Sequence, residues 1–207
     1  MFKRDELRDF YKKFYDENDN AHKIDHADEV VDAALHIVRE LQLPLNKNIV
    51  MLTAYLHDIY RGVSKKGHHI MAFKYVMEEK HDPFLQYYHS SIRYTIAKAC
   101  LEHRGSFKGE FSSLLSEVIS AADRGKFTVE SAIKRSYKYH MSSAHASGGD
   151  PIENVYNHVK NKYGTKGYAR FPSLYSKVYD LDTARKHIDE LTINDVREVI
   201  EREAWDV

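Results

Sequence analysis

Leu7, Phe10, Tyr11, Phe14 and Tyr15 recur at the i, i+3, i+4, i+7 and i+8 spacing of one helical face, which predicts an amphipathic helix over residues 4 to 17. The polar stretch DENDNAHK breaks it. From His26 the stripe Val30, Val31, Ala34, Leu35, Val38 and Leu41 predicts a second helix, with Asp25 as its N-cap and Pro44 as a stop beyond its end. The third segment, residues 47 to 60, is different. Ile49, Val50, Leu52, Ala54, Tyr55, Leu56 and Ile59 occupy most of the circumference, as in a central helix surrounded by others. Further helices are predicted at 68–79, 90–102, 111–123, 129–141, 152–163, 173–191 and 193–204, the last with Thr192 or Asn194 near its cap. Sustained period-two alternation is missing throughout, so the predicted fold class is all-α. The small and helix-breaking residues of HASGGDP, 145 to 151, mark the best internal boundary. They divide a helical bundle, 1–145, from a helical C-terminal extension, 146–207, expected to pack on the same domain.

A chain of 207 residues with 43% hydrophobic content can bury one sizeable core. Thirty-one basic and thirty-one acidic residues cancel, so no global field draws the protein to nucleic acid or to an anionic membrane, and function must sit in a local site. Cys100 is the only cysteine, which excludes an intramolecular disulfide and a thiolate-rich zinc site. The charged amino terminus MFKRDELRDFYKKFYDEN lacks a signal-peptide core, and no run of about twenty apolar residues is present to span a membrane. A cytoplasmic location is expected.

The chemistry starts at His57-Asp58, which ends the apolar run IVMLTAYLHD. Both side chains are costly to bury unless paired or bound to metal. His26 upstream and His68, His103 and Asp123 downstream each lie in or beside a predicted helix. Neutral imidazole and carboxylate together suit first-row divalent ions, and ligands from several helices can converge inside a bundle. Any one of these residues alone reads as an ordinary surface or core side chain, and Asp123-Arg124 as an exposed ion pair. Adjacent helical residues diverge by about 100°, so for His57 and Asp58 to share an ion the helix must unwind near Ile59 or the ion must sit off its end.

The ordered segments HADEVVDAALHI from His26, LHDI around His57 and Asp58, GHHIMA around His68, LEHRG around His103 and AADRG around Asp123 resemble the HD-domain superfamily of metal-dependent phosphohydrolases, over about residues 20 to 140. The resemblance implies an all-helical bundle whose H…HD…D set, here His26, His57, Asp58 and Asp123, binds metal. Members with additional histidines at positions like His68 and His103 often hold two ions. By that likeness Asp58 bridges, His26, His57 and Asp123 serve one ion, and His68 and His103 the other. Manganese or iron is favoured over magnesium, cobalt, nickel or zinc. His69 competes with His68, and His68 better fits the family's register opening this helix; His22, in the polar turn before the second helix, is a weaker rival to His26. A single metal with His68 and His103 facing phosphate is the alternative.

The reaction expected is hydrolysis of a phosphoester or phosphoanhydride of a small nucleotide by metal-activated water. No phosphate-cradling Gly-rich loop followed by Lys and Ser or Thr is present. Arg61, Lys65, Lys66, Arg104, Arg124 and Lys126 adjoin the ligand segments, and Lys65 and Arg124 are expected to work with His57 and Asp58 in catalysis by contacting phosphate. The basic and aromatic residues from Tyr156 to Phe171 read first as packing over the bundle, ahead of a nucleic-acid surface or a loop closing on a nucleotide. The His68 segment and the spacing from His103 to Asp123 are similar to HD enzymes that split diadenosine tetraphosphate, and to others acting on nucleoside triphosphates. Alternatives are a single-metal 5′-nucleotidase, a cyclic nucleotide phosphodiesterase, or a non-catalytic nucleotide-sensing module. Against the first, the acidic residue expected soon after the His-Asp pair is not evident in IYRGVSKKG. Against the last, all six ligand positions are intact.

Overall fold

A computed structural model describes residues 2–142 and 150–205, and among these it has ten α-helices and no strand. They are α1 (Arg4–Tyr15), α2 (Ile24–Glu40), α3 (Lys47–Leu56), α4 (His68–Glu78), α5 (Ser90–Glu102), α6 (Leu114–Ala122), α7 (Val129–Ser142), α8 (Pro151–Tyr163), α9 (Leu181–Glu190) and α10 (Ile193–Trp205). No described helix is long and apolar enough to cross a membrane.

The chain forms two compact units. The first comprises the chain up to Asn18, His22–Gly125 and Arg170–Val178; the second comprises Asp19–Ala21, Lys126–Ala169 and the chain from Tyr179. The boundary expected in 145–151 lies mostly outside the described residues, and α7 groups with α8, α9 and α10.

In the first unit α3 packs against α1, α2, α5 and α6, as its apolar circumference requires, and Val50, Leu52, Ala54, Tyr55 and Leu56 are fully buried. Its neighbours are also tied by polar contacts. Arg8 on α1 bonds Asp28 through Nε at 2.6 Å and Asp25 through Nη2 at 2.9 Å, while Arg4 bonds Asp32 at 2.6 Å. Asp25 is therefore not the expected cap: α2 begins one residue earlier, Lys23 stands at the N-cap, and Asp25 spends its carboxylate on Arg8 in the first turn. The buried Asp82 carboxylate takes the hydroxyls of Tyr11 (2.6 Å) and Tyr75 (3.0 Å) and the amides of Phe84 and Leu85 (both 2.9 Å), so every face of it is satisfied.

The third helix stops at Leu56, four residues short of expectation, and residues 57–63 form turns. Asn18 explains the stop. Its buried amide donates to the carbonyls of His22 (2.8 Å) and Asp58 (3.2 Å), while its Oδ1 accepts from Gly62 N at 2.5 Å. Gly62 must be glycine for this docking, because a Cβ would come within 2.6 Å of the Glu17 backbone. α6 opens at Leu114, later than expected, because Ser113 caps it by accepting from Ser116 N at 3.1 Å. The turn after α6 closes through Gly125 at φ +61°, a left-handed conformation that ends the helix just past Asp123.

In the second unit α7 packs on α8 and α10, with Asp150 capping α8 and Pro151 at its first position. The single helix expected over 173–191 is instead a 3-10 turn at Tyr175–Lys177 and then α9, capped by Asp180 accepting from Thr183 N at 3.1 Å. The break has a structural reason: Arg170–Val178 returns to the first unit. Thr192 and Asp195 bond each other's backbone amides at the start of α10 (3.2 and 2.7 Å), a reciprocal cap at the expected place.

Candidate metal centre

All six predicted ligand positions meet in the first unit, and each sits at or near a helix end, where a side chain can be aimed without breaking the ladder. His26 lies in the first turn of α2, His57 and Asp58 follow α3, His68 opens α4, and His103 and Asp123 are the C-caps of α5 and α6. They form two triads, His26–His57–Asp123 and Asp58–His68–His103, and within each the ligand atoms lie within 4.8 Å of one another. His26 Nε2 is 3.1 Å and His57 Nε2 3.9 Å from Asp123 Oδ1. His68 Nε2 and His103 Nε2 are 3.0 and 3.3 Å from Asp58 Oδ1. The other Asp58 oxygen, Oδ2, is 3.6 Å from His57 Nε2, so this carboxylate lies between the triads.

Three histidines are oriented alike. Nδ1 of His57 donates to Ala54 O (2.6 Å), Nδ1 of His103 to Cys100 O (2.7 Å) and Nδ1 of His68 to Lys65 O (3.1 Å). A carbonyl can only accept, so each Nδ1 carries a proton, and each ring turns its Nε2 toward the centre. His68 Nε2 and His103 Nε2 stand 3.3 Å apart, facing each other and the Asp58 carboxylate. His57, Asp58, His68 and His103 are at most 2% exposed, and His57 Nε2 and Asp58 Oδ1 are buried without a hydrogen-bond partner.

Burial alone would raise the Asp58 carboxyl, but the imidazoles of His57, His103 and His68 hold it well below the usual carboxylate range. Burial lowers His103 against the opposing pull of Asp58, which keeps its ring neutral near pH 7. Ring nitrogens and carboxylate oxygens that converge this closely attract only when protons or a cation lie between them, and a cation shared by three such atoms serves a whole triad at once. The donor set, all N and O with a carboxylate in each triad, fits a first-row divalent ion. These residues fit the metal that the sequence predicts.

The other candidates fall elsewhere. His69 is outside both triads, and its Nδ1 is buried without a hydrogen-bond partner. Burial, with Arg104 nearby, lowers its pKa to about 4. His22 meets His26 edge to face, with ring centroids 5.4 Å apart, and joins neither triad. Lys65 and Lys66 are exposed, and their carbonyls brace the site by accepting from His68 Nδ1 and from Arg104 Nη1 (3.0 Å). Arg124, expected to contact phosphate, is bonded within the protein. Its Nη1 donates to His103 O (3.1 Å), to Ser120 Oγ (3.1 Å) and to the Ser120 carbonyl, and its Nε donates to Arg170 O (3.0 Å), so the guanidinium is committed to the protein. Much of the aromatic and basic segment is committed too: Lys160 bonds Tyr156 OH at 3.1 Å, and Tyr163 packs on Phe127 at 4.9 Å. Sequence reasoning missed Asn18 and Ser120, a buried serine whose hydroxyl donates to His103 O at 2.9 Å. The only available signal was a polar residue on an otherwise apolar helix end, in VISAAD.

Set against known proteins, the chain matches no curated protein and no solved structure. Residues 24–126 match the family model of the HD domain, an interval that contains all six residues of the two triads.

Proposed function

Residues 24–126 belong to the HD domain family, and from that membership and the two facing triads we propose that the chain is a metal-dependent phosphohydrolase cleaving a phosphoester or phosphoanhydride bond of a small nucleotide. One observation carries the reading: buried Nε2 atoms, each ring fixed by its Nδ1–H on a carbonyl, directed at a buried carboxylate. The nucleotide is favoured by the likeness of the His68 segment and the His103-to-Asp123 spacing to HD enzymes acting on nucleoside polyphosphates.

In this reading His26, His57 and Asp123 hold one divalent ion, His68 and His103 a second, and Asp58 is shared. Ions held there, manganese or iron ahead of zinc, supply Lewis acidity toward phosphoryl oxygens and lower the pKa of water. The protein's part is preorganisation. The Nδ1–H bonds to Ala54, Lys65 and Cys100 fix ring tautomer and direction before substrate arrives, so little reorganisation is left for the reaction itself. Asp58, held ionised, accepts charge-assisted contacts without itself needing to lose a proton near neutral pH. Lys65 and Lys66, in the loop between α3 and α4, are assigned to the substrate's phosphate oxygens, since a charged ammonium has no lone pair for a metal. Arg124 is assigned to positioning.

The test combines elemental analysis with phosphate release. Metal-replete protein should carry about two ions per chain, and Asp58→Ala should abolish hydrolysis because it removes a ligand of both positions. Full activity in a folded Asp58→Ala protein would remove the proposal; a single ion in active wild-type protein would reduce it to the mononuclear form.

A further inference from the structure

The two triads are held in register by a stretch of chain from outside the family match. α5 delivers His103 to one triad and α6 delivers Asp123 to the other, so their spacing depends on how the ends of these helices are joined. The last carbonyls of a helix have no partner within it and must be satisfied from elsewhere. At His103 they are satisfied by α6: the carbonyl accepts Ser120 Oγ at 2.9 Å and Arg124 Nη1 at 3.1 Å. The other edge of the Arg124 fork reaches Arg170 O at 3.0 Å, and Arg170 N returns to Gly105 O at 3.1 Å, two residues past His103. Tyr175, fully buried, donates its hydroxyl to Gly125 O at 2.9 Å, two residues past Asp123. The far end of the same stretch is anchored on α6, where Glu117 Oε1 accepts from Ser173 Oγ (2.6 Å) and Leu174 N (3.0 Å). Phe171 fills the space between, its ring 4.8 Å from Tyr175 and 5.8 Å from the Arg124 guanidinium.

We propose that Arg170–Val178 acts as a strap across the turns after His103 and Asp123, and that Arg124 and Tyr175 are positioning residues that set the spacing of the two metal positions. Several of its anchors lie within two residues of His103 or Asp123, whose ligand atoms stand only 3.1–3.9 Å from their neighbours in the triads. A shift of half an ångström at either turn changes a coordination distance outright. Arginine is needed at 124 because its planar fork serves two carbonyls on different segments at once, which a lysine ammonium does not. The space beside it is close: a Cβ at Gly105 would lie 3.2 Å from Arg124 Nη2.

This inference rests on the triads holding metal, and its test separates the two claims. Full-length wild-type protein, Arg124→Gln, Arg124→Lys and Tyr175→Phe are titrated with Mn²⁺, and the free ion is counted by its EPR signal. Melting is recorded in chelator alongside. Expected is a loss of Mn²⁺ affinity of about tenfold to a hundredfold in Tyr175→Phe and Arg124→Gln, the range for removing a ligand's supporting contacts. The bound-ion spectrum should change with it, the metal-free melts should fall only by the few degrees that an orphaned carbonyl costs, and Arg124→Lys should not rescue. Isotherms and spectra equal to wild type in these variants would overturn the strap and leave the metal reading intact. A wild-type protein that binds no divalent ion would overturn the metal reading first, and the strap with it. Where Arg124→Gln does not fold, Tyr175→Phe and Ser173→Ala, which each delete one hydroxyl, decide between the same two results.

Discussion

Replacing Asp58 with Asn should stabilise the metal-free protein and destroy its response to metal. The carboxylate is 2% exposed, and its Oδ1, 3.0 and 3.3 Å from the Nε2 atoms of two imidazoles that donate Nδ1–H to carbonyls, has no hydrogen-bond partner. Without a cation that oxygen is an orphaned buried acceptor, at a cost of about 1–3 kcal/mol, whereas an Asn amide in its place donates to one Nε2 and gains about 0.5–1.5 kcal/mol. The combined gain of about 3 kcal/mol corresponds to a melting temperature about 6–12 °C higher at this chain length. With metal the sign reverses. Free Mn²⁺ at a hundredfold over its dissociation constant stabilises wild-type protein by about 2.7 kcal/mol, and the variant, lacking the anionic ligand, should gain little of it. Circular-dichroism melts at pH 7.5, in chelator and in excess Mn²⁺, measure both effects. If the chelated variant instead lost about 3–5 kcal/mol, the cost of breaking a buried ion pair, the cluster would be a protonated His–Asp network and not a metal site.

Three further outcomes are expected. His26→Ala and His68→Ala should each reduce bound metal from about two ions to about one, since each damages a different triad; elemental analysis showing both ions lost in either variant would mean that the positions are not separable. Lys65→Ala and Lys66→Ala should raise KM about threefold to tenfold with metal content unchanged, and unaltered kinetics would return both side chains to solvated surface. Acid should weaken the second unit through His158, whose pKa is lowered to about 4 by burial, Lys162 and His140. Between about pH 6.5 and 4 the unfolded chain binds the proton that the folded chain refuses, so stability is full above pH 6.5 and falls by at most about 3 kcal/mol as pH drops toward 4. His158→Gln should flatten that limb in urea melts across the range, and an unchanged slope would show that His158 is not its source.

The helices were legible where one face is apolar: Leu7, Tyr11 and Tyr15 on α1 and Val30, Val31, Ala34 and Val38 on α2 are buried as their periodicity predicts, with Leu35 half-buried at the edge of the stripe. The ligand positions were legible because charged or ionisable residues closing apolar runs, as in LTAYLHD and VISAAD, need a partner inside the core. Helix ends were less so. The stop at Leu56 depends on Asn18, and the start of α2 on Arg8 drawing Asp25 away from the cap; both partners are distant in sequence. The bonding of Arg124 is hidden from the sequence for a related reason. A charge beside a ligand looks like a phosphate contact, and the acceptors that occupy it are mostly backbone carbonyls, which residue type does not encode. The return of Arg170–Val178 to the first unit is equally silent in the sequence, since polar Ser173 and aromatic Tyr175 are as compatible with a surface helix as with a strap.

Phosphate release from a panel of nucleoside monophosphates and triphosphates, cyclic nucleotides and dinucleoside polyphosphates, with the protein stripped of metal and then reloaded with Mn²⁺, tests the central claim most directly. The account predicts multiple turnovers on at least one nucleotide, abolished by stripping, restored by Mn²⁺, and absent in Asp58→Ala. Protein that binds its ions in both triads yet releases no phosphate from any of these compounds would contradict it.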